Sequence, residues 1–392
     1  MRITIYLRAL TLSALVSFIS FACFAEEHFT PDHLVSTYRD SAESLIQKAL
    51  KSDHGFERLA EMCDRFGPRF SGSATLEQAI DWALEEMKKD GFSKVRGEPV
   101  MVPRWVRGKE SLSITSPLEK SCRMLGLGGS VGTGPDGIVA EVLVVQSFEE
   151  LKANQVQAKG KIVLFNAPFT DYGATVVFRV RGAIEAAKAG AVASLIRSVG
   201  PFSMQTPHTG MMVYDDAVPR IPHAAITLED AMLLERMQER GDLLKVELHM
   251  EAQNMEPSLS RNVVAEIPGL ESPEEIVLIS GHIDSWDVGQ GAMDDGGGCL
   301  AMWEAARLIL KAGLRPRRTI RVVLWTNEEN GMAGVCALTE TNTKRHWSIT
   351  FWRSNQMQAP SSLKGSVLPV AKKPCLILKP SVPCWGLSRH SG

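Results

Sequence analysis

The residues best placed to do chemistry lie in the second half of the chain. Gly281-His282-Ile283-Asp284 leads to Gly291-Ala292-Met293-Asp294-Asp295-Gly296-Gly297, and Leu324-Trp325-Thr326-Asn327-Glu328-Glu329 follows. An imidazole and carboxylate oxygens are the ligands a divalent cation such as zinc takes, and a carboxylate left off the metal can move protons. Each stretch alone says little. His-x-Asp is common in surface loops, Asp-Asp-Gly-Gly-Gly is ordinary turn chemistry, and a Glu pair suits the start of a helix. Their conjunction, in this order, makes the signal specific.

The surrounding pattern says how these residues are held. Ile276-Val277-Leu278-Ile279 is an unbroken apolar run of strand length, which predicts a strand covered on both faces with His282 just past its end. Leu300, Trp303, Ala306 and Leu310 recur at helical intervals, so Asp294 falls on a loop before a helix. Thr319 to Trp325 predicts a second strand, with Glu328 and Glu329 just beyond it. All candidate ligands then gather at strand carboxyl ends, where an open, mostly parallel α/β sheet binds its ligands.

With these residues in place, the chain resembles the co-catalytic dizinc exopeptidases. The resemblance rests on Ser280 to Gly298, with Gly67-Pro68-Arg69-Phe70-Ser71-Gly72-Ser73, Gly160-Lys161-Ile162-Val163 and Ala193-Ser194-Leu195-Ile196-Arg197-Ser198 upstream, and covers about Gly55 to Gly334. It implies an α/β fold: a mostly parallel-sheet zinc exopeptidase domain, C-terminally incomplete, with an inserted β-rich protease-associated domain. It implies His282 as the imidazole ligand of one zinc, Asp294 as the carboxylate bridging two, Glu329 as a ligand of the other, and Glu328 as general base. Asp284 would stand behind His282, accepting its other ring N–H and fixing its tautomer. Asp295 receives no role. The implied activity is carboxypeptidase- or dipeptidase-type hydrolysis of small unblocked peptides, with two zincs per complete site and a possible homodimer.

The resemblance stops after about Gly334. The family's next helix and strands are not recognisable, and its further Asp and carboxyl-terminal His have no matching positions. His346 and His390 lie in a basic, Pro- and Ser-interrupted stretch and read as solvated. The expectation is an impaired peptidase. The other reading is a non-catalytic relative that keeps only a binding surface, and metal content discriminates the two.

The expected organisation is a signal peptide over 1–25, a propeptide-like helical segment over 26–50, catalytic parts over 51–106 and 252–336, the protease-associated insertion over 107–251, and a divergent, disordered tail over 337–392. Arg2, the apolar Leu7 to Phe24 and the small residues at Cys23-Phe24-Ala25 make the leader. It implies the secretory pathway, with secretion or a lysosomal, ER or Golgi lumen as destinations, and no membrane span after its removal. Thr75 and Gln78 suggest a helix start for the stripe Leu76, Ile80, Ala83, Leu84 and Met87. A net charge of −2 with mixed signs gives no reason to expect nucleic acid. The seven cysteines are too scattered for a disulfide scaffold.

Overall fold

The computed structural model describes residues 31–342; the leader at 1–25 and all but the first residues of the tail at 337–392, with His346 and His390, lie outside them. Helix α1 (Pro31–Ala49) belongs to a unit of its own, confined to Met1–Ser52.

From His54 the chain builds a layered α/β body. Helices α2 (His54–Phe66) and α3 (Ala74–Asp90) precede strand β1 (Ser93–Val106). The apolar stripe of α3 is buried as its spacing predicts, with Leu76, Ile80, Ala83 and Met87 at 0% exposure, and Gly91 closes it in a left-handed conformation (φ 94°). The cap is Ser73, whose hydroxyl accepts from the Leu76 N–H, while Thr75 donates its hydroxyl to the Pro68 carbonyl. Two hydroxyl residues two positions apart carry the same cap signal, and only backbone geometry separates them.

Between β1 and its partner β10 the chain builds a second sheet. Its strands are β2 (Glu110–Ser116), β3 (Lys120–Cys122), β4 (Met124–Gly126), β5 (Ile138–Val145), β6 (Ile162–Phe165), β7 (Ala193–Arg197), β8 (His223–Ile226) and β9 (Lys245–Met250). Their order is β3-β2-β9-β5-β6-β7-β8-β4, and β5 to β8 run parallel. Helices α4 (Phe148–Ala153), α5 (Gln155–Ala158), α6 (Tyr172–Lys188) and α7 (Leu228–Glu239) make the connections. Parallel pairing needs such crossovers, so this part is itself α/β. Its strand β6, Ile162-Val163-Leu164-Phe165, is apolar at every position, because both faces carry a core.

The first sheet is completed by β10 (Gln253–Ile267), β11 (Ser272–His282), helix α8 (Gly297–Lys311), β12 (Arg318–Trp325) and helix α9 (Ala333–Asn342). Its order is β1-β10-β12-β11. Only β11 and β12 are parallel, with Ile279 opposite Val322 and His282 opposite Trp325; the other two pairings are antiparallel, so the sheet is mixed. Among the described strands β11 is one of the sheet's two edges, and Val277 is exposed where a second covered face was expected. Helix α9 also continues the fold past Gly334, where the sequence pattern had ceased to be recognisable.

The helices pack on this sheet through Leu76, Ile80, Met87 and Trp303 against Val263, Ala265, Val322 and Leu324. Each such side chain contributes about 1.5–3 kcal/mol through burial. Arg58 locks α2, α3 and α8 together: it pairs with Asp90 at 2.6 Å and lies 4.4 Å from the Trp303 ring, whose N–H donates to the same carboxylate at 2.8 Å. Among the described residues no helix is long and apolar enough to cross a membrane. Cys63, Cys122 and Cys299 are free thiols.

Candidate metal centre

The parallel pair β11 and β12 ends at one sheet edge, and the next few residues of each strand carry the polar cluster. His282, the last residue of β11, is buried. Its Nδ1 faces the Asp284 main-chain carbonyl at 3.0 Å. A carbonyl only accepts, so Nδ1 carries a proton, which leaves Nε2 as the ring atom that would take a metal once its own proton is displaced. There Nε2 lies 3.0 Å from Asp294 Oδ1 and 3.8 Å from Glu328 Oε2.

Asp284 does more than the sequence suggested, and differently. Its carboxylate stands 3.7 Å from His282 Nδ1, and the ring is held by its main chain instead. The fully buried carboxylate accepts the N–H of Glu328 at 3.0 Å, the N–H of Glu329 at 3.1 Å and the Ser71 hydroxyl at 3.3 Å. It therefore fixes the turn carrying both glutamates. Asn327, in the left-handed region at φ 64°, reverses the chain just before them, a conformation Asn tolerates better than most residues. Its side chain donates to Ser71 and Asn330 and accepts from the Ala333 N–H.

Asp294 and Asp295 follow Gly291 and precede α8. Asp294 is exposed and directs its carboxylate at His282. Asp295 is buried and accepts the His282 N–H at 3.1 Å, anchoring the end of β11. This explains two neighbouring glycines: a Cβ at Gly298 would stand 2.2 Å from Asp295 Oδ1, and one at Gly281 2.8 Å from Oδ2. Asp295 had no role in the sequence reading; the glycines close to it in space were its only signal.

Arg69, also fully buried, holds the intervening loop. Its guanidinium donates to the carbonyls of Ile283 (2.9 Å), Gly67 (2.8 Å), Gln290 (2.8 Å) and Gly291 (2.9 Å). A planar fork with five donors suits such a task. On the outer side of the loop Asp287 receives a two-pronged contact from Arg107, at 2.6 and 2.7 Å. Trp286 stacks on Phe70 at 4.8 Å. A cavity of about 320 Å³ lies beside the loop, lined among others by Phe70, Ser71, Trp105 and Arg107.

The structure thus brings His282, Asp294 and Glu329 together, with one ligand atom of each within 4.8 Å of the others, and Glu328 beside them. The charges are mutually dependent. Burial opposes charge on His282, yet its bonds to Asp284 and Asp294 push its pKa up to about 11. Contact with His282 holds Asp294 below the usual carboxylate range. Burial, followed by the Asp294 charge, raises Glu329 to about 8, and its Oε1 is buried with no hydrogen-bond partner among the described residues. A carboxylate oxygen withdrawn from water without a donor is what a cation would satisfy. The donor set, one imidazole nitrogen and carboxylate oxygens, fits zinc.

Comparison with known proteins agrees with this geometry. The profile of the family described as "Peptidase family M28" matches residues 262–353. Carboxypeptidase Q of Xenopus laevis is 51% identical over 313 residues, covering 79% of this chain and 67% of that protein. Human carboxypeptidase Q is 50% identical over 303 residues, covering 76% of this chain and 64% of its own length. The chain therefore spans about two thirds of the length of these curated relatives. The crystal structure of a peptidase M28 precursor from Shewanella amazonensis superposes with a TM-score of 0.76 at 37% identity, covering 79% of this chain and 72% of that one. A zinc aminopeptidase from Bacillus subtilis shares the fold at a TM-score of 0.56 and 22% identity, covering 74% of this chain and 64% of its own.

Proposed function

We propose, because this chain belongs to peptidase family M28, that it is a zinc-dependent exopeptidase of carboxypeptidase or dipeptidase type acting on short unblocked peptides. One observation carries the reading: the ligand atoms of His282, Asp294 and Glu329 converge within 4.8 Å at the end of the parallel strand pair. His282, Asp294 and Glu329 would hold the metal, with Asp294 in the bridging position if a second ion is taken. Zinc bound there supplies Lewis acidity, polarising a carbonyl and acidifying water.

The chain's own residues supply the rest. Glu328 Oε2 faces the metal side of His282 at 3.8 Å and is partly open to solvent, as a group must be that takes a proton from attacking water and returns it to the leaving amine. Asp284 orients both glutamates through their amides, and Arg69 and Asp295 keep the His282 and Asp294 segments in place. The 107–251 insertion is read as the protease-associated domain that roofs the cleft. The leader over 1–25 places the enzyme in the secretory pathway, the 26–50 segment is read as a propeptide, and a homodimer is the expected assembly.

Zinc content by elemental analysis, paired with dipeptide hydrolysis before and after Glu328→Gln, tests the reading. Bound zinc, with hydrolysis lowered about 10²- to 10⁴-fold by the substitution, is expected. A chain that takes up no zinc removes the assignment.

A further inference from the structure

The second sheet touches the metal loop at two points. Arg107 grips Asp287 and donates at 3.3 Å to the Thr209 hydroxyl. Trp286 lies so close to Gly128 that a Cβ there would stand 2.1 Å from its ring, and the Gly128 N–H donates to the Gly210 carbonyl at 2.9 Å. Both contacts lead to the same short segment, His208-Thr209-Gly210. Its main chain is fixed on either side of His208. The His208 N–H donates to the Ser198 hydroxyl at 3.0 Å, and the Thr209 carbonyl accepts from Arg179 at 3.1 Å. Gly210 passes so close that a Cβ would stand 2.3 Å from the Arg179 guanidinium carbon.

Two groups meet at this segment, His208 within it and Arg179 from helix α6. The His208 ring is exposed and makes no hydrogen bond among the described residues, yet it lies within electrostatic reach of both Asp294 and Arg179. Arg179 is 8% exposed, and its contacts are neutral: the Thr209 carbonyl, the Tyr172 hydroxyl at 3.0 Å and the Tyr172 ring at 5.6 Å. Among the described residues no carboxylate pairs with it. A buried cation lacking a counter-ion is costly on its own and favours an anion nearby.

We propose that His208 is a specificity residue of the metal site, binding the free α-carboxylate of the peptide with the Arg179 charge behind it. The inference rests on the peptidase reading. The His208 ring would give the carboxylate a hydrogen bond and the Arg179 guanidinium the charge. A peptide blocked as a carboxamide would lose that attraction.

The test uses the full chain with ring-labelled histidine, followed by NMR during addition of Zn²⁺ and then of the reduced-amide analogue of glycyl-leucine or its C-terminal carboxamide. Zinc alone should move the His282 ring nitrogens into the metal-bound range and leave those of His208 outside it. The free-acid analogue should then move His208, and the carboxamide should not. His208→Gln should weaken binding of the free acid about tenfold, the effect of one hydrogen bond to a charged group, and leave the carboxamide unchanged. A His208 ring nitrogen entering the metal-bound range with zinc alone would make it a ligand and overturn the proposal, as would equal shifts with both analogues or none with either. If His282 itself ignores zinc, the metal-site reading fails and the inference falls with it.

Discussion

The Asp284 carboxylate accepts the main-chain N–H of Glu328 at 3.0 Å, joining residues 44 positions apart in the chain. The second carboxylate oxygen does the same for Glu329 at 3.1 Å. One buried acid thereby sets where the proposed base and one proposed ligand sit.

Asp284→Ala should leave two buried N–H groups without acceptors, at about 1–3 kcal/mol each, and loosen the turn at Asn327. Loss of such a supporting residue typically lowers metal affinity about 10- to 100-fold. Competition titration of zinc against a chromophoric chelator reads the change; an unaltered affinity would show that the turn is held by Asn327 and Ser71 alone.

Gly298→Ala should be more damaging than its size suggests. The new methyl would meet Asp295 Oδ1 at 2.2 Å, forcing Asp295 off the His282 N–H that it accepts. Loss of a buried hydrogen bond with overpacking predicts destabilisation of about 2–4 kcal/mol. Urea denaturation measures it, and a loss below about 0.5 kcal/mol would mean that the site relaxes freely.

Metal removal should lower thermal stability. A ligand held by the folded state alone stabilises it by about 2.7 kcal/mol at a hundred times its dissociation constant. Zinc would also neutralise the mutual repulsion of Asp294, Glu329 and Glu328. Calorimetry with EDTA and with added zinc should give a higher Tm with zinc, and coincident transitions would rule out specific binding.

His223 predicts an acid-sensitive second sheet. Its ring is completely buried, with Nδ1 3.2 Å from the Ser194 carbonyl and Nε2 3.1 Å from that of Arg179, and burial lowers its pKa to about 4 from 6.5. The unfolded chain binds that proton near pH 6.5 and the folded chain only near pH 4. Stability is therefore full above pH 6.5 and falls, by up to about 3 kcal/mol, as pH drops toward 4. Urea midpoints at pH 7.5 and 4.5 should differ less in His223→Gln than in the parent; equal pH dependence would exclude His223 as the cause.

Much of this architecture was legible from local pattern. Apolar runs marked β11, β12 and the central strands of the second sheet, and helical spacing marked α3 and α8, because burial writes its period directly into the sequence. The convergence of His282, Asp294, Glu328 and Glu329 followed from placing them after strand ends. What escaped was long-range. The mixed direction of the first sheet depends on β10 returning antiparallel, which no run of residues announces. Arg69 binds only carbonyls, and carbonyls have no sequence signature. Arg107 and Asp287 are 180 residues apart, and nothing local to either names the other. Strand β8, His223-Ala224-Ala225-Ile226, did not stand out because it has one β-branched residue and opens on a histidine.

The Arg107–Asp287 fork has a mechanical consequence. It spans two sheets built on separate cores, and its acidic end sits in the loop between His282 and Asp294. Any rocking of one lobe on the other must either rupture that clasp or tug the donors on both sides of the loop. Breathing between lobes and grip on the cation would then rise and fall as a single quantity.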